Sequence, residues 1–151
     1  MTVYQEKFAE FLREVGNGKK MVLSTSGHDV VTSRMMSVIQ LNGSFYFQTD
    51  RTSRKYAQLL ENPRAALCVD NIQMEGLCRE TGHPRENTEF CRLYEEHFPH
   101  AYQLYTALEN ERLFRFSPVR IERWVYQDGV PYLEVMDIEK QHYERVRYQG
   151  Q

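Results

Sequence analysis

The sequence predicts a mainly β fold, a small antiparallel barrel with accessory helices. Three observations predict it. About seven short runs rich in β-branched and aromatic residues recur along the chain. Asn42-Gly43, and later Asp128-Gly129, stand between such runs, and these residues accept the positive φ of a tight hairpin turn. Helical periodicity is confined to a few segments placed between strands. At 151 residues the chain has the size of a single domain with one substantial core, and it shows no internal repeat, low-complexity segment or linker.

The first element is helical. Tyr4, Phe8, Phe11, Leu12 and Val15 share one face of residues 2–15, and Gly16 and Gly18 end it. KKMVLSTS (19–26) reads as a strand, Gly27-His28-Asp29 as a turn, and 30–41 as a long strand with room for a bulge at Met35-Met36. In SFYFQT the alternation sends Phe45, Phe47 and Thr49 to one face, Tyr46 and Gln48 to the other. Ser53 is an N-cap for a helix with Tyr56, Leu59 and Leu60 as its apolar stripe and Asn62-Pro63 as its stop. RAALCVDNI (64–72) and QMEGLCRET (73–81) read as a strand pair, with Gly76 a bulge or a place of close backbone approach. Pro84 opens a helix to about His97, with Phe90, Leu93, Tyr94 and His97 at core-facing spacing, while 100–111 fits no single pattern. LFRFSPVRIERWVY and VPYLEVMD restore the β signal, and the polar end IEKQHYERVRYQGQ reads as a short helix or loose tail.

Composition narrows the function classes. A net charge of −2 argues against a dedicated nucleic-acid binder, although arginines and aromatics alternate in LFRFSPVRIERW. No apolar run approaches the ~20 residues that span a bilayer, and the first residues lack the apolar core of a signal peptide, so no membrane partner and a cytoplasmic location are expected. Cys68, Cys78 and Cys91 have no CxxC spacing and are expected as buried small hydrophobes. Phe98-Pro99 separates His97 from His100, no other ligand stands at a convincing spacing, and no metal site is expected. Glu80, Glu86, Glu89, Glu95 and Glu96 read as solvated faces.

The stretch 30–55, VVTSRMMSVIQLNGSFYFQTDRTSRK, carries the functional signal. In TDRTSRK (49–55) three residues are cationic and three bear hydroxyls, at the start of a helix whose first N–H groups are unpaired. Such a grouping suits a phosphate. A solvated basic loop with a serine cap has the same composition. Cations at a helix N-terminus oppose its dipole, so an anion nearby would make sense of them. Arg34, inside a strand of Val, Met and Ile, either points to solvent or meets a buried anion.

The order and spacing of RMMS (34–37), FYFQT (45–49), SRK (53–55) and Asn62-Pro63 resemble the pyridoxamine 5′-phosphate oxidase-like, FMN-binding split-barrel family, over most of Met21 to Val135. The resemblance implies an antiparallel split β-barrel of Greek-key type, a single FMN-binding domain over 1–151 with a helical insertion at about 84–111, and a homodimer with its site between subunits. It implies cofactor contacts from Arg34, Met35, Met36 and Ser37 along the flavin, and from Gln48 and Thr49 at the end of the next strand. Ser53, Arg54 and Lys55 would grip the phosphate. More weakly, Asn71 falls where an amide reaches the flavin, and Trp124 resembles a tryptophan that approaches it. A barrel or interface anchor is an equal reading of Trp124.

Two departures stand out. The true oxidases carry a lysine where this chain has Ile39, and an Arg-x-His pair after the tryptophan, where VPYLEV follows here. Those residues hold the vitamin substrate, so the resemblance implies an FMN-dependent oxidoreductase with a different small-molecule substrate and a nicotinamide or other donor. No catalytic acid, base or nucleophile is assigned. A non-catalytic binder of flavin or haem, and a cofactor-free dimeric interaction module, are the alternative classes.

Overall fold

The structure, a computed structural model, describes residues 1–150. Helix α1 (Val3–Val15) begins at a capping box in which Thr2 and Gln5 satisfy each other's backbone, and ends at Gly16, whose φ of 78° needs glycine. Strands β1 (Gly18–Gly27) and β2 (Val30–Leu41) pair without interruption from Gly18↔Ile39 to Gly27↔Val30, so Met35-Met36 carry no bulge. Asn42 (φ 52°) and Gly43 (φ 87°) turn the chain into β3 (Ser44–Asp50).

Helix α2 (Arg54–Glu61) leads to β4 (Arg64–Val69) and β5 (Ile72–Gly82). The turn between those strands is Asp70-Asn71, two residues earlier than expected, and Asn71 therefore lies on a turn. The expected helix from Pro84 to His97 is divided: a 3₁₀ turn at Pro84–Glu86 precedes α3 (Thr88–His97), because Asn87 leaves the helical conformation and caps Phe90 N–H. A helical turn, Pro99–Ala101, then runs into a π-helical stretch, Tyr102–Thr106. Strands β6 (Glu111–Gln127), β7 (Val130–Asp137) and β8 (His142–Arg147) follow. The tail expectation fails at β8, which pairs with β7 from Asp137↔His142 to Tyr132↔Arg147.

Strand order β3-β2-β1-β4 is a Greek key, and the β3–β6 pairing closes a six-stranded antiparallel barrel, β3-β2-β1-β4-β5-β6. The first part of β6 pairs with β3 and its last part with β7, so one long strand carries the chain from barrel to outer ladder. The register with β5 shifts at Glu75/Gly76, opposite Pro118, where the missing proline N–H is tolerated. A Cβ on Gly76 would lie 2.4 Å from the Phe116 ring and 2.7 Å from the Ser117 carbonyl oxygen, so both readings of this glycine hold.

The barrel core gathers Phe45, Phe47, Leu67, Met74, Phe114 and Phe116. A second cluster, Phe90, Leu93, Tyr94 and Leu113 over Ile39, fastens the insertion to the barrel. Three expectations of burial fail: Leu60 and His97 are exposed, as is Cys68, while Cys91 is half-buried and only Cys78 is fully buried. Glu80 is no free surface charge, since Tyr56 Oη donates to both its oxygens at 3.1 Å and Arg112 lies 3.6 Å away.

Candidate functional site

Asp50 ends β3 and shapes the loop before α2. Its Oδ1 accepts from Thr52 N–H at 2.7 Å and from Thr52 Oγ1 at 2.6 Å, and these bonds hold its carboxyl below the usual range. Arg51 fastens the same loop to the end of the insertion, donating from N–H to the Asn110 carbonyl oxygen and from Nε to Asn110 Oδ1, both at 2.9 Å. The chain then enters α2 at Ser53, whose Oγ accepts from Tyr56 N–H at 3.3 Å and lies 3.2 Å from Thr49 Oγ1. Among the described residues the Arg54 and Lys55 amides make no hydrogen bond, so two donors of the first helical turn are free.

Arg34 reaches this end of the barrel from β2. Its Nη1 donates to Thr25 Oγ1 at 2.8 Å and to the Leu23 carbonyl oxygen at 3.3 Å, and Nη2 donates to Thr32 Oγ1. Gln58 backs this arrangement from α2: its buried Oε1 accepts from Thr25 Oγ1 at 2.6 Å and from Thr32 Oγ1 at 2.8 Å. The guanidinium is thus held from behind by hydroxyls that are themselves held.

Three cations, Arg34, Arg54 and Lys55, converge here. Among the described residues none of them is in an ion pair with a carboxylate. Burial and then the charge of Arg54 pull the Arg34 guanidinium below its ordinary value. Lys55 is lowered by burial and then by Arg34, with Glu111 and Asp50 acting the other way.

A cavity of about 310 Å³ adjoins this cradle and shares Thr49 and Lys55 with it. Its barrel side adds Gln48, Asp50 and Glu111; its other wall is Tyr94, Tyr105 and Leu108 of the insertion. Gln48 is buried and oriented by Thr106 Oγ1, which donates to its Oε1 at 3.0 Å. Of the remaining candidates on β2, Ser37 lies against the Tyr94 hydroxyl, Met36 packs on the core and Met35 is exposed.

Asn71 and Trp124 are together but belong to a different cleft, of about 220 Å³, lined also by Asp70, Gln73, Arg123 and Leu133. Asn71 Nδ2 donates to the Trp124 carbonyl oxygen at 2.5 Å, and the half-exposed indole meets Tyr148 edge-on with ring centroids 5.1 Å apart. This cleft shares no lining residue with the cavity at Lys55. No helix among the described residues is long and apolar enough to cross a membrane, and no group of three or more His, Cys, Asp or Glu is placed to hold a metal ion.

The profile of the pyridoxamine 5′-phosphate oxidase family matches residues 4–125. The chain belongs to that family. Solved structures of the same fold include a pyridoxamine 5′-phosphate oxidase-related, FMN-binding protein from Nostoc punctiforme (TM-score 0.64, 15% identity, covering 99% of this chain and 98% of that one). Others are general stress protein 26 from Bacillus anthracis (TM-score 0.60, 20% identity, 97% and 100% coverage) and a haem storage protein from Vibrio cholerae (TM-score 0.57, 16% identity, 78% and 91% coverage). No curated protein matches the chain.

Within the family frame, Ile39 is informative. It is fully buried beneath Phe90, Leu93 and Tyr94, so the insertion occupies the place above it. Sequence reasoning missed Thr25, Thr32 and Gln58, which stand behind Arg34, and also Glu111. Its local signal was slight, a carboxylate opening the run LFRF, and its position emerges only from the β3–β6 register.

Proposed function

We propose that the protein is an FMN-dependent oxidoreductase that passes hydride or electrons from a reduced nicotinamide or other donor to a small acceptor. The observation that carries the cofactor assignment is the convergence of Arg34, Arg54 and Lys55, mutually repelling and unpaired, on the open amides of α2. A phosphate there removes the repulsion and gains charge-assisted hydrogen bonds from side chains and backbone together. Thr49 and Ser53 supply hydroxyls at the same edge. The residues present thus fit the phosphate end of FMN.

Bound FMN would supply the redox chemistry through its ring. This chain would hold and orient it: Arg34, Thr49, Ser53, Arg54 and Lys55 at the phosphate, and the β2 backbone of Met35–Ser37 with Gln48 toward the ring. The Trp124 cleft is separate from the cradle within one chain, and we assign it to the flavin of a second copy, which makes the working unit a homodimer. The exposure of Met35, Trp124, Val146 and Tyr148 fits such an assembly. The free thiols fit a cytoplasmic setting.

Purified protein tests the reading. Yellow protein that bleaches on addition of NADH or NADPH supports the enzyme, and yellow protein that resists both favours a non-catalytic binder. Colourless protein that takes up no added FMN refutes both. Light scattering on a sizing column tests the dimer, and a monomer at micromolar concentration would count against the Trp124 assignment.

A further inference from the structure

Glu111 is only 5% exposed, yet its carboxylate has no hydrogen-bond or ion-pair partner among the described residues. A buried acid without a partner is costly unless something else meets it. Its oxygens are not sealed in protein: Glu111 lines the cavity beside the phosphate cradle. The groups that face it are Asp50, directly opposite on β3, Lys55 on α2, and Tyr94 and Tyr105 on the insertion.

These groups define what the cavity takes. Two carboxylates on one wall repel a second anion, so the phosphate site does not extend into it. A volume of about 310 Å³ holds a molecule of one or two rings and no dinucleotide. Tyr94, Tyr105 and Leu108 offer flat, largely apolar contact. The Tyr94 phenol, pushed up to about 12 chiefly by burial, keeps its proton and can donate to a carbonyl. Two requirements are unmet among the described residues: a hydrogen-bond donor for Glu111, and an acceptor for Gln48 Nε2, a buried amide donor with no partner.

We propose that this cavity is a second ligand site, which takes the flat ring of a small heteroaromatic amide and reads it through Glu111, the carboxylate accepting the ligand's N–H. The carbonyl of the same amide suits the hydroxyls or Lys55 on the facing side. Its position against the cradle makes such a ligand the donor or substrate of the reaction proposed above, and that role rests on the flavin reading. Binding itself does not.

Nicotinamide and methyl nicotinate separate the elements of this assignment, since they share a ring and a carbonyl but only the amide has N–H donors. Calorimetry or ligand-observed NMR on the purified protein should find nicotinamide bound about tenfold more tightly at pH 8.5. The preference should shrink at pH 6, because burial and the facing Asp50 raise the Glu111 carboxyl to about 7 and its proton blocks the acceptor. In Glu111→Gln, whose amide oxygen still accepts, the pH dependence should vanish; in Glu111→Leu, which has no acceptor, the preference itself should vanish, and circular dichroism checks that both variants fold. Equal binding of the two probes, a preference that survives in Glu111→Leu, a pH dependence that survives in Glu111→Gln, or binding of neither up to their solubility limits would overturn the proposal. So would competition by saturating FMN, because the cofactor's own ring would then fill the cavity. Arg54→Ala, at a residue outside this cavity, provides the separate arm: it tests FMN binding, and loss there with nicotinamide binding intact leaves the Glu111 site standing on its own.

Discussion

Asp50 and Glu111 stand directly opposite one another on β3 and β6, two carboxylates in register at the rim of the barrel. Like charges so placed are unfavourable, and the environment divides their roles. Asp50 is held ionised by the Thr52 N–H and hydroxyl. Glu111, buried and facing Asp50, is pushed up to about 7, with Lys55 only partly restoring it.

This pairing gives stability a pH dependence of known sign. A carboxyl whose pKa rises from 4.5 unfolded to about 7 folded binds its proton more tightly in the native state. Its contribution is complete at low pH and is lost as pH climbs through that window. Glu111→Gln should match wild type near pH 4 and exceed it by about 3 kcal/mol at pH 8 in urea denaturation. A variant less stable than wild type at pH 8 would show that the carboxylate has a partner in the fold.

Gly76 admits no side chain. Gly76→Ala would drive a methyl group into the Phe116 ring and the Ser117 carbonyl, and backbone cannot step aside cheaply. The expected loss is about 1–3 kcal/mol, seen as a lower denaturation midpoint with unchanged m value.

Gln58 supports Arg34 without touching it. Gln58→Leu leaves the Thr25 and Thr32 hydroxyls without their acceptor and should cost about 1–3 kcal/mol of stability. It should also weaken FMN binding more than riboflavin binding, since the disturbed residue serves the phosphate end.

The outer ladder depends on one buried acid. Glu134 accepts from Arg123 Nε at 2.7 Å and from Tyr143 Oη at 2.5 Å, while Arg123 Nη1 also meets Glu14 at 2.7 Å, so β6, β7, β8 and α1 are joined. Desolvation opposes the charge on Glu134, but the Tyr143 and Arg123 bonds prevail and its carboxyl sits below the usual range. That stability is present above about pH 4.5 and lost on acidification through the lowered value. Arg123→Ala should cost about 3 kcal/mol or more at neutral pH and should flatten this acid limb.

How far these features were readable follows from whether they are local. The Asn42-Gly43 and Asp128-Gly129 turns depend on two residues each, and both show the positive φ expected. The Ser53 cap and the strand carrying Arg34 are local as well. Strand β8 was not legible, because its HYERVR is polar and its place is set by pairing with β7 and by the Tyr143–Glu134 bond. Leu60 misled because the helical stripe of α2 is narrower than its apolar residues, and Gln58 takes the buried position instead. Glu111 became a site residue only when a strand sixty residues away lay beside it, which spacing along the chain does not reveal.

The Arg34, Arg54 and Lys55 cluster is expected to hold a phosphate. Fluorescence titration of FMN and riboflavin against wild type and the Arg54→Ala, Lys55→Ala double variant measures this. Losing two charge-assisted contacts should weaken FMN by about 100-fold and leave riboflavin within about threefold. FMN affinity that stays within about threefold of wild type, or an equal loss for both flavins, would contradict it.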